Sequence, residues 1–213
     1  MTEASLQSPL LLVLHALRLR SVAPSRGVAH RFELDLVMVE DLLAGAHAAG
    51  WVQRREGILA GWTLTAAGRR EGERLLADQL ESTGTRSTID RAYSGFLGLN
   101  GELLAICTEW QVVSVDGAEI VNDHRDAERD SRVLGRLDRL HEAAQPVLEL
   151  LESTLARFGG YGRRLGAAHA RITGGGTEWL TRPTIDSYHT VWFELHEDLL
   201  ATLGRRRTDE RHG

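Results

Sequence analysis

Apolar residues recur at helical spacing through most of this chain, and the breaks in that rhythm locate its turns and strands. Leu10, Val13, Leu14 and Leu17 make a first stripe, opened by Ser8-Pro9, a capping residue and then a proline whose fixed φ suits a first helical turn. His15 sits beside the stripe and is expected to be a half-exposed helix histidine. A short second helix is predicted over Ser25 to Phe32, with Val28, Ala29 and Phe32 inward and Arg26 and Arg31 outside. Asp35 to Ala49 reads as a third, burying Leu36, Val39, Leu42, Leu43 and Ala46, with Gly50 as its terminator. There the period changes. Residues 51–55 (WVQRR), a turn at Glu56-Gly57 and residues 61–65 (GWTLT) spell strand, turn and strand, after which Ala66 to Leu80 is helical with Leu75, Leu76 and Leu80 inward.

The polar run ESTGTRS at 81–87 is the clearest boundary. Beyond it Phe96, Leu99, Leu103, Cys107 and Trp110 share one face of a helix beginning near Tyr93. VVSVDGAEIV carries a hairpin signal at Asp116-Gly117, short enough for a small excursion rather than a second sheet. Asn122-Asp123-His124 stands at a helix entrance, as a capping cluster or as polar ligand contacts. Asp126 to Phe158 is the longest helical pattern, which Pro146 must kink or split, and Gly159-Gly160 ends it. A helix from Tyr161 to Ile172 and a Gly-rich link follow. A last helix has Pro183 in its first turn, Asp186 near its positive end, Gly204 as its stop and Arg205 to Arg207 at its negative end.

The pattern therefore divides the chain into residues 1–82, three helices with a two-stranded wing and a linking helix; 88–204, an all-α bundle; and a charged tail, 205–213. Here the segment AAGWVQRRE followed by GWTLTAAGRREGERLL resembles the winged helix-turn-helix transcriptional regulators of the MarR and PadR kind, with L-T-x-x-G opening the linking helix. The resemblance covers roughly residues 8 to 82, and the chain as a whole looks like the actinobacterial type with an all-helical C-terminal domain. It implies a mainly α protein with an N-terminal winged helix and a helical-bundle domain. It also implies a cytoplasmic homodimer that binds double-stranded DNA and responds to a small-molecule effector.

Charge qualifies that expectation. The 213 residues carry a formal charge of −5, with 25 basic side chains, every one an Arg. Residues 1–91 hold 11 Arg and 11 Asp or Glu and are neutral, so no broad basic field draws a polyanion in. The outward face of the third helix, Asp35, Val37, Met38, Glu40, Asp41, Ala44 and His47, offers three carboxylates and only His47 as a groove donor. Phosphate contacts fall instead to Arg26, Arg31, Arg54, Arg55, Arg69 and Arg70, with His47 as the one base-edge candidate. The acidic helix keeps an alternative open: a winged helix that docks a protein or a small molecule and not DNA.

The last helix holds the densest aromatic chemistry. Tyr188, His189, Trp192 and His196, together with Trp110, His124 and Trp179, either line a ligand pocket or form core whose polar atoms find partners. His189 and His196 lie seven residues apart, about 10 Å along a helix, too far to share a metal unless His124, His169 or a carboxylate arrives from elsewhere. None of the metalloprotease, Cys-x-x-Cys, nucleophile-elbow or phosphate-loop signatures occurs, so no cofactor, metal or enzymatic role is expected. Cys107 is either a buried small hydrophobe or a redox-sensing thiol. One cysteine allows no intrachain disulfide, and neither a charged leader nor a long apolar span is visible, which points to the cytoplasm and away from a membrane.

Overall fold

A computed structural model describes residues 8–58, 60–115 and 117–207. Among them the chain forms eight α-helices and two small antiparallel hairpins, and is mainly helical. Two compact units result: residues 1–86 with 197–213, and residues 87–196.

In the first unit α1 (Pro9–Arg20), α2 (Ser25–Arg31) and α3 (Leu36–Ala48) precede the strands β1 (Val52–Arg55) and β2 (Gly61–Leu64), and α4 (Ala66–Thr83) follows. Pro9 occupies the first turn of α1, and Asp35 caps α3 by accepting from the Met38 amide at 2.9 Å. The helices close on one core, in which Val13, Leu14, Leu17, Val28, Val39, Leu43 and Val52 are buried. β1 and β2 pair with Val52 opposite Leu64 and Arg55 opposite Gly61. Ala23, between α1 and α2, adds a bridge to Trp62, exchanging N–H···O bonds of 3.1 and 2.8 Å. That contact requires Gly61, since a side-chain carbon there would lie 2.8 Å from the Ala23 backbone.

The second unit is built on α5 (Arg86–Gln111), a hairpin of β3 (Val112–Val115) and β4 (Ala118–Val121), α6 (Ala127–Thr154), α7 (Tyr161–Thr173) and the start of α8 (Tyr188–Leu203). Phe96, Ile106, Leu137, Leu148, Tyr161, Leu165 and Val191 are among its buried residues.

Several expectations need correction. α5 begins at Arg86 and not near Tyr93, so ESTGTRS is two helix ends around Gly84, whose φ of 63° terminates α4. The 112–121 excursion is a true two-stranded sheet, so the second unit is not all-α; Asp116, half of the turn signal, lies outside the described residues. α6 runs unbroken through Pro146 and ends at Thr154 before a 3-10 turn, not at Gly159-Gly160. Pro183 and Asp186 lie ahead of α8, and Ser187 caps it, accepting from the Thr190 amide at 3.3 Å. Residues from Glu197 on group with the first unit, so the segment 88–204 is not one compact body. His15 is fully buried, 2.9 Å from the equally buried Asp198 carboxylate of α8. Its partner stands 183 positions away, where local periodicity cannot reach.

Candidate nucleic-acid interface

Trp62 is the hub of the hairpin's outer face. Its indole N–H donates to Ser25 Oγ at 3.2 Å, the Arg54 guanidinium lies 5.2 Å from its ring centroid, and the His47 ring meets it edge-on at 5.8 Å. Around it a groove of about 630 Å³ is lined by Pro24, Ser25, Arg26, Glu40, Arg54, Arg55, Glu56, Gly57, Ala60, Gly61 and Trp62. Three guanidiniums converge there against two carboxylates. The hairpin supplies two because β1 turns Gln53, Arg54 and Arg55 to solvent while Val52 enters the core.

Arg26, Arg54, Arg55, Arg69 and Arg70 form no ion pair among the described residues. Most other cations are committed: Arg18 to Glu73 at 2.8 Å, Arg74 to Glu71 and Asp78, Arg136 to Glu102 and Glu109, Arg164 to Glu194 and Asp186. Arg26, Arg54 and Arg55 line the groove without an internal anion and are open to an external one, and Arg69 and Arg70 are exposed on α4.

One of the sequence-derived candidates is not where the spacing put it, and another is partly engaged. Arg31 is not on the outside of α2: it is buried, its guanidinium 4.5 Å over the Phe32 ring. His47 spends its Nδ1 proton on the Val52 carbonyl at 3.0 Å, locking α3 to the first strand and leaving only Nε2 outward. Trp62, Ser25 and the turn carboxylate of Glu56 were not singled out as site residues by sequence, whereas Glu40 was read there as an outward carboxylate of α3. The alternation of GWTLT does put Trp62 and Leu64 on one strand face, but the reach of Ser25 and Ala23 to it is tertiary.

The candidate effector residues fall into four sets of contacts. Tyr188, Trp192, Phe96 and His196 stack in sequence, with centroid separations of 6.2, 4.7 and 5.1 Å. The Trp192 N–H donates to Asn100 Oδ1 at 3.0 Å and the Tyr188 hydroxyl meets His141 Nδ1 at 3.2 Å. Burial pushes the Tyr188 phenol well above its ordinary pKa. His189 is half-buried beside Phe193, and burial lowers its pKa. Trp179 lies under Arg171, 3.8 Å from its guanidinium.

Trp110 and His124 stack at 4.4 Å within a cluster that joins the hairpin to α6. The Asn122 amide donates to the Trp110 carbonyl at 3.0 Å and to Asp130 at 3.1 Å, and its own oxygen accepts from the His124 amide at 3.1 Å. His124 Nδ1 pairs with Asp130 at 2.9 Å. Arg129 donates to the carbonyls of Glu109 and Val112, both at 2.8 Å, closing the end of α5. Asn122 thus closes the C-terminal end of α5, while the N-cap of α6 is Asp126, whose side chain accepts from the Arg129 amide at 3.0 Å, and not the expected cluster Asn122-Asp123-His124. Cys107 is buried and its thiol is pushed up to about 12 by desolvation, an environment that suppresses the thiolate a redox sensor needs.

Comparison with protein-family models, with curated proteins and with solved structures finds no match in any of the three. Among the described residues no helix is long and apolar enough to cross a membrane, and no cluster of His, Cys, Asp or Glu is arranged to hold a metal.

Proposed function

We propose that the first unit is a winged helix and that the protein is a transcriptional regulator which grips double-stranded DNA chiefly through its wing. Support comes from the order of three helices and a hairpin, from the Ala23–Trp62 bridge that ties the hairpin to the helical core, and above all from Arg26, Arg54 and Arg55, three guanidiniums without internal anions that line the groove. Phosphates would neutralise Arg26, Arg54 and Arg55, while the carboxylates Asp35, Glu40 and Asp41 on and beside α3 keep that helix from close approach to the backbone. Binding of this kind is salt-sensitive and reads position more than bases. A homodimer on an inverted repeat remains part of the proposal, as does an effector. The packed Tyr188–Trp192–Phe96–His196 stack directs the search for an effector site away from the last helix.

The test is fluorescence-anisotropy binding to genomic duplex fragments across a salt series. Arg54→Ala with Arg55→Ala is expected to weaken binding at least tenfold at low salt, and to reduce the slope of log K against log salt by about 2, one for each lost phosphate contact. An unchanged affinity and slope would sink the proposal.

A second reading is favoured by α3 itself, whose exposed Glu40 and Asp41 flank Val37, 66% exposed: a docking face for a basic protein segment. Absence of duplex binding at any salt, with retention of a cationic peptide lost in Glu40→Arg, would select it.

A further inference from the structure

His141 on α6 and His169 on α7 stack face to face, ring centroids 4.3 Å apart and planes within 9°. His169 Nε2 donates to Asp138 at 2.7 Å. The Gln145 amide group stands 3.3 Å from His141 Nε2 and also donates to the His141 carbonyl at 3.0 Å. Because an amide N–H can only donate, His141 Nε2 must accept; the ring's one proton then sits on Nδ1 and points to the Tyr188 oxygen at 3.2 Å. The network thus specifies a neutral His141 pressed against His169, with α6, α7 and the first residue of α8 meeting at the two rings.

We propose that this stack is an acid-operated latch within the second unit, closed while His141 is neutral and opened when a proton reaches its Nε2. Protonation would turn Nε2 into a donor facing the Gln145 donor, and would place two like charges about 4 Å apart, where repulsion is several-fold stronger than in bulk water. Both changes act on the same contact, and a parting of α7 from α6 relieves both.

Among the described residues, the titratable groups that bear on the stack come from four helices. From α6, the Asp138 and Glu142 carboxylates favour a charged His141; burial first and His169 second oppose it, and the opposition prevails, so the His141 pKa is lowered. From α8 comes Tyr188, whose phenol stays protonated, and from α5 Cys107, whose thiol adjoins Tyr188 and is likewise neutral. A lowered histidine pKa means that the folded unit resists a proton which the unfolded chain takes up near its ordinary value. Stability supplied by the latch is therefore complete above about pH 6.5 and falls as pH drops below it.

Imidazole signals of the full chain, followed by NMR as pH falls, test the latch directly. The expected outcome is a His141 midpoint below about 6.5 that rises when His169→Gln removes the neighbouring charge. Amide-exchange protection across α7 is expected to fall by about tenfold or more over the same range in the parent chain and in His189→Gln, but not in His141→Gln. His189 is the necessary control because burial lowers its pKa as well. A His141 midpoint at or above the ordinary value, one indifferent to His169→Gln, or α7 protection that falls equally in His141→Gln would each overturn the proposal. None of these readouts depends on DNA.

Discussion

At the scale of single residues, the L-T-x-x-G signature is a description of one crowded corner. Thr65 Oγ donates to the Gly50 carbonyl at 2.7 Å, lies 3.1 Å from the Trp51 carbonyl, and accepts from the Gly68 amide at 3.1 Å, so one hydroxyl ends the third helix's loop and caps α4. A side-chain carbon at position 68 would stand 1.9 Å from the Trp51 oxygen. Gly68→Ala is therefore expected to cost about 1–3 kcal/mol by overpacking, although helix propensity alone would favour Ala by about 1 kcal/mol. Urea unfolding decides between them, and a variant as stable as the parent would show that the corner yields. Thr65 and Gly68 were legible in sequence because their partners lie within twenty residues. The burial of Arg31 under Phe32 was not, since a seven-residue helix has too few turns to declare which of its charged residues face in.

Among elements, amphipathic stripes were readable wherever a helix buries one face. α3 turns Val39, Leu43 and Ala46 inward, and α6 turns Val133, Leu137, Leu140, Ala144, Leu148 and Leu151, as the spacing requires. Element ends were harder. At the start of α5 the residues Arg86 to Thr88 are polar because they face solvent, not because they leave the helix, while Thr83 folds its hydroxyl back onto the Gln79 carbonyl at 2.7 Å. Pro146 misled for a related reason: proline usually breaks a helix by losing one hydrogen bond and crowding the previous turn, but here Ala144 and Leu148 on either side are held in the core. The stripe carries the helix past the defect. Pro146 itself is exposed, so Pro146→Ala should restore a backbone donor without disturbing packing and raise stability by up to about 3 kcal/mol. Thermal unfolding is the check; a lowered midpoint would mean that the proline shapes α6 productively.

For the whole molecule the decisive fact is that the first unit is discontinuous. Leu11 of α1 and Leu76 of α4 form a buried cluster with Ala201, and His15 faces Asp198, both partners supplied by the end of a helix that begins in the second unit. Reading in chain order assigns residues 1–82 to a self-sufficient domain, because nothing local to His15 or Leu11 signals a partner nearly 200 residues on. The physical consequence is testable. A fragment of residues 1–86 keeps the helices, the hairpin and the groove arginines, but it exposes Leu11 and Leu76 and removes the carboxylate opposite a fully buried imidazole. Leaving a buried imidazole without its hydrogen-bond partner costs about 1–3 kcal/mol, a sizeable part of a small domain's stability of about 5–15 kcal/mol. The fragment is expected to unfold at markedly lower denaturant than the first unit does in the full chain, and Asp198→Asn in the full chain should reproduce part of that loss. A fragment as stable as the parent would mean that residues 197–203 lie on the first unit without supporting it. Loss of stability in both the fragment and Asp198→Asn would establish the end of α8 as part of the groove's scaffold.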